Sequence, residues 1–155
     1  MAIFNEKFKK ARLDQSPYLF HFINGRDHSP CNTLQKILDE KQLISNKGYI
    51  CFSASPITAI KRFFETKTKS TGHPLYLPWG LGFSRDILVR DFGARNAIYT
   101  DGNENIPDHL MWRTDILNVD FYDFEYLREW RIKGNAFDFS KFPQGDIIVV
   151  APDTN

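Results

Sequence analysis

The sequence predicts an α+β fold in one domain, residues 1–155, with mixed or antiparallel sheets. Helical periodicity is concentrated in the first half, and strand-like segments dominate the second. No internal repeat, low-complexity tract or linker divides the chain. A length of 155 residues suffices for one core of ordinary size. Hydrophobic residues make up 42% and charged residues 25%, a balance that argues for a globular domain and against disorder.

Residues 1–14 read as an N-terminal helical extension, with Phe4, Phe8 and Leu13 at roughly helical spacing, ended by Pro17. Residues 18–23 are nearly continuous in aromatic and aliphatic side chains and predict a buried strand. After a polar turn at residues 25–30, Leu34, Ile37, Leu38 and Leu43 mark an amphipathic helix that runs through Leu43. Residues 49–53 predict a second strand. Ser55 then offers an N-cap, and Pro56 a first helical residue, for a helix reaching about Thr66.

Residues 68–78, rich in Ser, Thr, Gly and Pro, predict an exposed, mobile loop. Residues 80–84 form a strand whose Gly80 and Gly82 permit close backbone approach; a short helix over 85–92 and a strand over 96–99 follow. Ile106, Leu110, Met111 and Ile116 predict a short irregular helix within 101–117. The remaining strands are expected over 126–132, 137–139 and 146–151.

Lys and Arg number 20 against 19 Asp and Glu, so a net charge of +1 exerts no global pull on nucleic acid. Local basic patches at Lys7, Lys9, Lys10 and Arg12, and at Lys61, Arg62, Lys67 and Lys69, read first as solvated helix faces. Cys31 and Cys51 lack metal-ligand spacing, so no metal site is expected and both thiols should stay reduced. The N-terminal residues turn charged before any apolar region forms, and no apolar run is long enough to span a bilayer. The expectation is a cytoplasmic protein without membrane contact.

The most suggestive cluster is Leu127-Arg128-Glu129-Trp130-Arg131-Ile132. Strand alternation sends Trp130 and Ile132 to one face, and Glu129 and Arg131 to the other. Glu129 reads as half of a cross-strand ion pair, as part of a solvated charged face, or as a carboxylate able to stabilise developing positive charge on a sugar carbon or to take a proton from an attacking group. His21, in an apolar strand, is a hydrogen-bonded core residue or a contact to a ribose hydroxyl. Ser53 is a satisfied turn hydroxyl or a ligand contact. Arg85, at the start of a short helix after two glycines, has the chemistry to hold a phosphate, without the spacing of a P-loop. His28, His73 and His109 are assigned no role.

Several segments together resemble abortive-infection proteins of the AbiG type, associated with bacterial phage defence. They are the His21-Phe22 strand, the helix Leu34-Gln35-Lys36-Ile37-Leu38, and Cys51-Phe52-Ser53-Ala54-Ser55-Pro56, followed by Gly80-Leu81-Gly82-Phe83-Ser84-Arg85-Asp86 and Gly93-Ala94-Arg95-Asn96-Ala97-Ile98-Tyr99. An early strand His, a following helix and a late strand Glu are also similar to the ADP-ribosyltransferase superfamily. That resemblance implies a cleft between sheets, with NAD as substrate and a nucleic-acid or protein acceptor. His21 would meet a ribose, Ser53 and Tyr99 would wall the nicotinamide end, Arg85 would meet the pyrophosphate and Glu129 would be catalytic. The chain departs from the superfamily pattern at Ile23 and Leu127, where many relatives carry a hydroxyl and a Glu or Gln. Those departures keep open a non-catalytic, antitoxin-like domain that binds a cognate toxin or other partner. A nuclease reading lacks clustered carboxylates.

Overall fold

The computed structural model describes residues 15–65, 67, 72–116 and 127–153. The expected helical extension over 1–14 lies outside them, as do Thr66, Tyr126 and residues 68–71 of the expected loop. In chain order the elements are β1 (Tyr18–Asn24), α1 (Pro30–Glu40), β2 (Gln42–Ile44), β3 (Tyr49–Ser53), α2 (Ile57–Glu65), β4 (Tyr76–Ser84), α3 (Arg85–Asp91), β5 (Arg95–Asn96) and β6 (Ile98–Thr100). A 3₁₀ helix (Asp108–Arg113), β7 (Thr114–Ile116), β8 (Glu129–Lys133), β9 (Ala136–Asp138), a 3₁₀ turn (Gln144–Asp146) and β10 (Ile147–Val150) complete it. The fold is α+β, with a six-stranded antiparallel sheet in the order β10-β4-β1-β3-β8-β5. Two small sheets flank it, β2 with β9 antiparallel and β6 with β7 parallel.

The apolar continuity of β1 has a direct cause: both of its faces are covered. Leu19 and Ile23 join the main core with Ile50, Phe52, Leu81, Phe83 and Ile132, against Leu34 of α1 and Leu88 of α3. Phe20 and Phe22 point the other way and meet Ile60 of α2. A strand buried on two sides has no polar face to alternate with. The abundant phenylalanines do the filling: the Phe83 ring lies edge-on to Phe137, Phe139 and Phe142, each with centroids 5.3 Å away.

Glycine brings β4 against β1. A Cβ on Gly80 would stand 2.3 Å from the His21 carbonyl oxygen, and one on Gly82 2.5 Å from the Phe20 ring.

Several boundaries differ from the sequence expectation. α1 ends at Glu40, because Lys41 turns left-handed at φ 52° and directs the chain into β2. Leu43 is therefore a buried strand residue opposite Phe137, apolar for a sheet rather than for a helix. α2 begins at Ile57, one residue later than Pro56, whose carbonyl accepts from Ala59 and Ile60. Residues 76–78 belong to β4 and not to a loop, since Tyr76 pairs with Asn24. The strand expected over 96–99 divides at Ala97, with β5 on the large sheet and β6 on β7. Among the described residues no helix is long and apolar enough to cross a membrane.

Candidate functional site

The sheet opens between β1 and β3. β1 pairs with β4 along most of its length, yet with β3 only at Phe20↔Ser53. In an unbroken antiparallel ladder the Cys51 carbonyl, two residues along from Ser53, would meet the Phe22 N–H. Instead it accepts a hydrogen bond from the His21 ring, Nδ1–H to O at 2.9 Å. Where the strands part there is a hollow of about 50 Å³, lined by His21, Cys51, Ser53, Leu127 and Glu129 with the rings of Phe20, Phe22 and Tyr76.

Glu129 reaches this hollow because β8 pairs with β3 in a register that sets Glu129 opposite Ser53 and Arg131 opposite Cys51. Trp130 and Ile132 face the core, as alternation requires, and Glu129 and Arg131 share the other face. The residue just before them, Arg128, sits at φ 47°, a left-handed conformation that costs a non-glycine residue about 1 kcal/mol.

Arg131 is the best-held side chain of the site. It is 1% exposed, and its Nε donates to Glu129 Oε1 at 2.7 Å. Nη1 donates to the carbonyls of Trp112 and Thr114 at 3.2 and 3.1 Å, and Nη2 to Asp115 Oδ2 at 2.8 Å. The Tyr49 ring lies under the guanidinium, 4.1 Å from centroid to carbon. A buried cation requires this degree of pairing to offset its lost hydration. Burial pulls the Arg131 pKa down, and the hydrogen bond and charge of Glu129 outweigh it, so the net shift is upward.

Glu129 is consequently fixed as well. Oε1 also accepts from the Cys51 thiol at 3.1 Å, whereas among the described residues Oε2 meets only the Tyr99 hydroxyl, at a long 3.5 Å. Burial first, then the Glu129 charge, pushes the Cys51 thiol up to about 12, so it remains a protonated donor and not a nucleophile. The same two causes raise Tyr99, which stays a phenol. Burial lowers the His21 pKa, against the opposing pull of the Cys51 carbonyl. The ring is neutral near pH 7 with its proton on Nδ1, which leaves the Nε2 lone pair as a hydrogen-bond acceptor.

Of the residues singled out from sequence, His21, Ser53 and Glu129 line one hollow, and Tyr99 touches Glu129. Ser53 is on the wall, but its hydroxyl donates to the Leu127 carbonyl at 2.5 Å and accepts from Ser55 N at 3.2 Å, which secures the turn into β8. Arg85 is not among the lining residues: its Nη1 donates to Gln15 Oε1 at 3.1 Å and its backbone N–H to Pro17. Sequence reasoning set Arg131 on the face of Glu129 without giving it a role at the site, read Cys51 only as a reduced thiol, and passed over Asp115.

Among the described residues no three His, Cys, Asp or Glu side chains gather as metal ligands would. No protein-family model, curated protein or solved structure matches the chain.

Proposed function

We propose that this chain is an ADP-ribosyltransferase-like domain of a bacterial phage-defence or toxin–antitoxin system, which cleaves NAD and transfers ADP-ribose to a nucleic-acid or protein acceptor. The observation that carries this reading is that His21 and Glu129 line one hollow where β1 and β3 part. In the proposed reaction the bond between ribose C1′ and the nicotinamide nitrogen breaks. Nicotinamide leaves with the electron pair, and C1′ gains positive charge before the acceptor attacks. A fixed carboxylate lowers the energy of that charge, and Glu129 Oε2 is the oxygen less engaged by the protein. His21 Nε2 accepts from a ribose hydroxyl, and Phe20, Phe22 and Tyr76 supply flat apolar wall. A hollow of about 50 Å³ has room for a few waters and not for a dinucleotide, so the strands part further when NAD enters.

Nicotinamide release from NAD by the purified chain tests the reading. Glu129→Gln is expected to abolish it with an unchanged far-ultraviolet circular dichroism spectrum. A wild type that neither releases nicotinamide nor labels DNA, RNA or protein ends it.

The narrow hollow and the saturation of Glu129 Oε1 by Arg131 and Cys51 favour a second reading, a non-catalytic, antitoxin-like domain on the same scaffold. There the Glu129–Arg131 pair holds the segment carrying Trp112, Thr114 and Asp115 to the sheet. An inert chain that binds a cognate toxin tightly, with affinity kept in Glu129→Gln, supports it.

A further inference from the structure

One strand away from Glu129, two arginines are anchored on the main chain at β5. Arg95 Nη1 donates to the carbonyls of Ala94 at 2.7 Å and Val89 at 3.2 Å, and Arg113 Nε donates to the carbonyl of Asn96 at 2.9 Å. Those bonds fix both guanidiniums on one short stretch of main chain. Among the described residues, Nε and Nη2 of Arg95 and both Nη groups of Arg113 have no partner. Among the described residues neither guanidinium forms an ion pair, although Arg90, Arg131 and Lys36 each have a carboxylate within reach. Burial, and after it the neighbouring Arg95 charge, lower the pKa of Arg113.

We propose that Arg95 and Arg113 form a binding site for a phosphate group. Guanidinium forks match phosphate oxygens in pairs, and an anion between them removes the repulsion that the folded chain otherwise retains. Pre-anchoring on carbonyls lowers the ordering entropy lost on binding. The site lies on the strand next to β8, with β8 and β3 between it and the hollow: Asn96 pairs with Trp130, and Ala97 N–H donates to the Glu129 carbonyl at 2.9 Å. The site does not depend on the cleavage of NAD, since it needs only the two cations.

Calorimetric titration of the full chain with inorganic pyrophosphate at low salt is the test. Saturable binding is expected, weakened about tenfold or more by Arg95→Gln or by Arg113→Gln and abolished by the pair. Arg26→Gln, an equal loss of charge at an exposed turn residue, should leave it intact. Arg113→Lys keeps the charge but loses the fork, so it should also weaken binding. If Arg113→Gln fails to fold, Arg113→Lys and Arg95→Gln still decide. Competition by ADP assigns the phosphate to a nucleotide, and competition by a short single-stranded oligonucleotide assigns it to a nucleic-acid strand. Absence of binding by all three probes, or binding that survives the double substitution, overturns the proposal.

Discussion

Arg131 and Glu129 leave β8 two residues apart on one face and join through Nε and Oε1 at 2.7 Å, with side-chain exposures of 1% and 10%. Such a pair is stabilising only while it is intact, because either charge left alone inside the protein keeps its desolvation cost. Arg131→Met strands the carboxylate and releases the carbonyls of Trp112 and Thr114. It is expected to lower stability by about 3–5 kcal/mol. Combining it with Glu129→Gln should cost less than the sum of the single losses. Urea midpoints of the four proteins in that cycle measure the coupling, and strict additivity would show that the pair contributes nothing.

The two cysteines should differ sharply in reactivity. Cys31 is exposed at the start of α1, whereas the Cys51 thiol is half-buried, hydrogen-bonded to Glu129 and pushed up to about 12. At pH 8, iodoacetamide is expected to add one label to the folded chain and two to the urea-unfolded chain, read by intact mass. The linkage has a sign. A thiol whose folded pKa exceeds its unfolded one contributes stability that is present below about pH 9 and lost as pH rises from about 9 toward 12. Cys51→Ser should flatten that alkaline decline.

His21 acts at the opposite end of the scale. Its folded pKa is lowered by burial, so the unfolded chain takes up a proton first as pH falls. Stability is full above the ordinary value of 6.5 and declines below it, through the folded pKa. Urea midpoints from pH 7.5 to 5 are expected to fall in the wild type and to fall less in His21→Asn. Equal slopes would mean that the ring is not held neutral in the folded state.

Much of this architecture was legible residue by residue. The strand over residues 49–53, the short helix after Ser84 and the close approach at Gly80 and Gly82 follow from local pattern and turn chemistry. Leu43 misled because apolar spacing is the same whether a residue closes a helix or opens the next strand; only the left-handed Lys41 between them decides. Arg131 was hidden for a different reason. A charged residue in a strand ordinarily marks a solvated face, and its burial here depends on carbonyls and a carboxylate contributed by residues 112–115, far off in sequence. The parting of β1 from β3 was likewise unreadable, because His21 in an apolar strand gives no sign that its ring replaces a ladder bond.

The tight seam between β4 and β1 can be tested without touching a functional group. An alanine Cβ at position 80 would stand 2.3 Å from the His21 carbonyl oxygen, a main-chain atom that moves only if β1 moves, and 3.0 Å from the Phe22 Cα and ring. Gly145, by contrast, has nothing within 4 Å of the added carbon. Gly80→Ala is therefore expected to destabilise by about 1–3 kcal/mol, and Gly145→Ala to stay within about 0.5 kcal/mol of wild type. Because the displaced strand carries His21, Gly80→Ala should also alter the acid limb of the stability profile, which a purely global loss would leave parallel to wild type. Equal urea midpoints for the two alanine variants would mean that β1 lies farther from β4 than 2.3 Å implies.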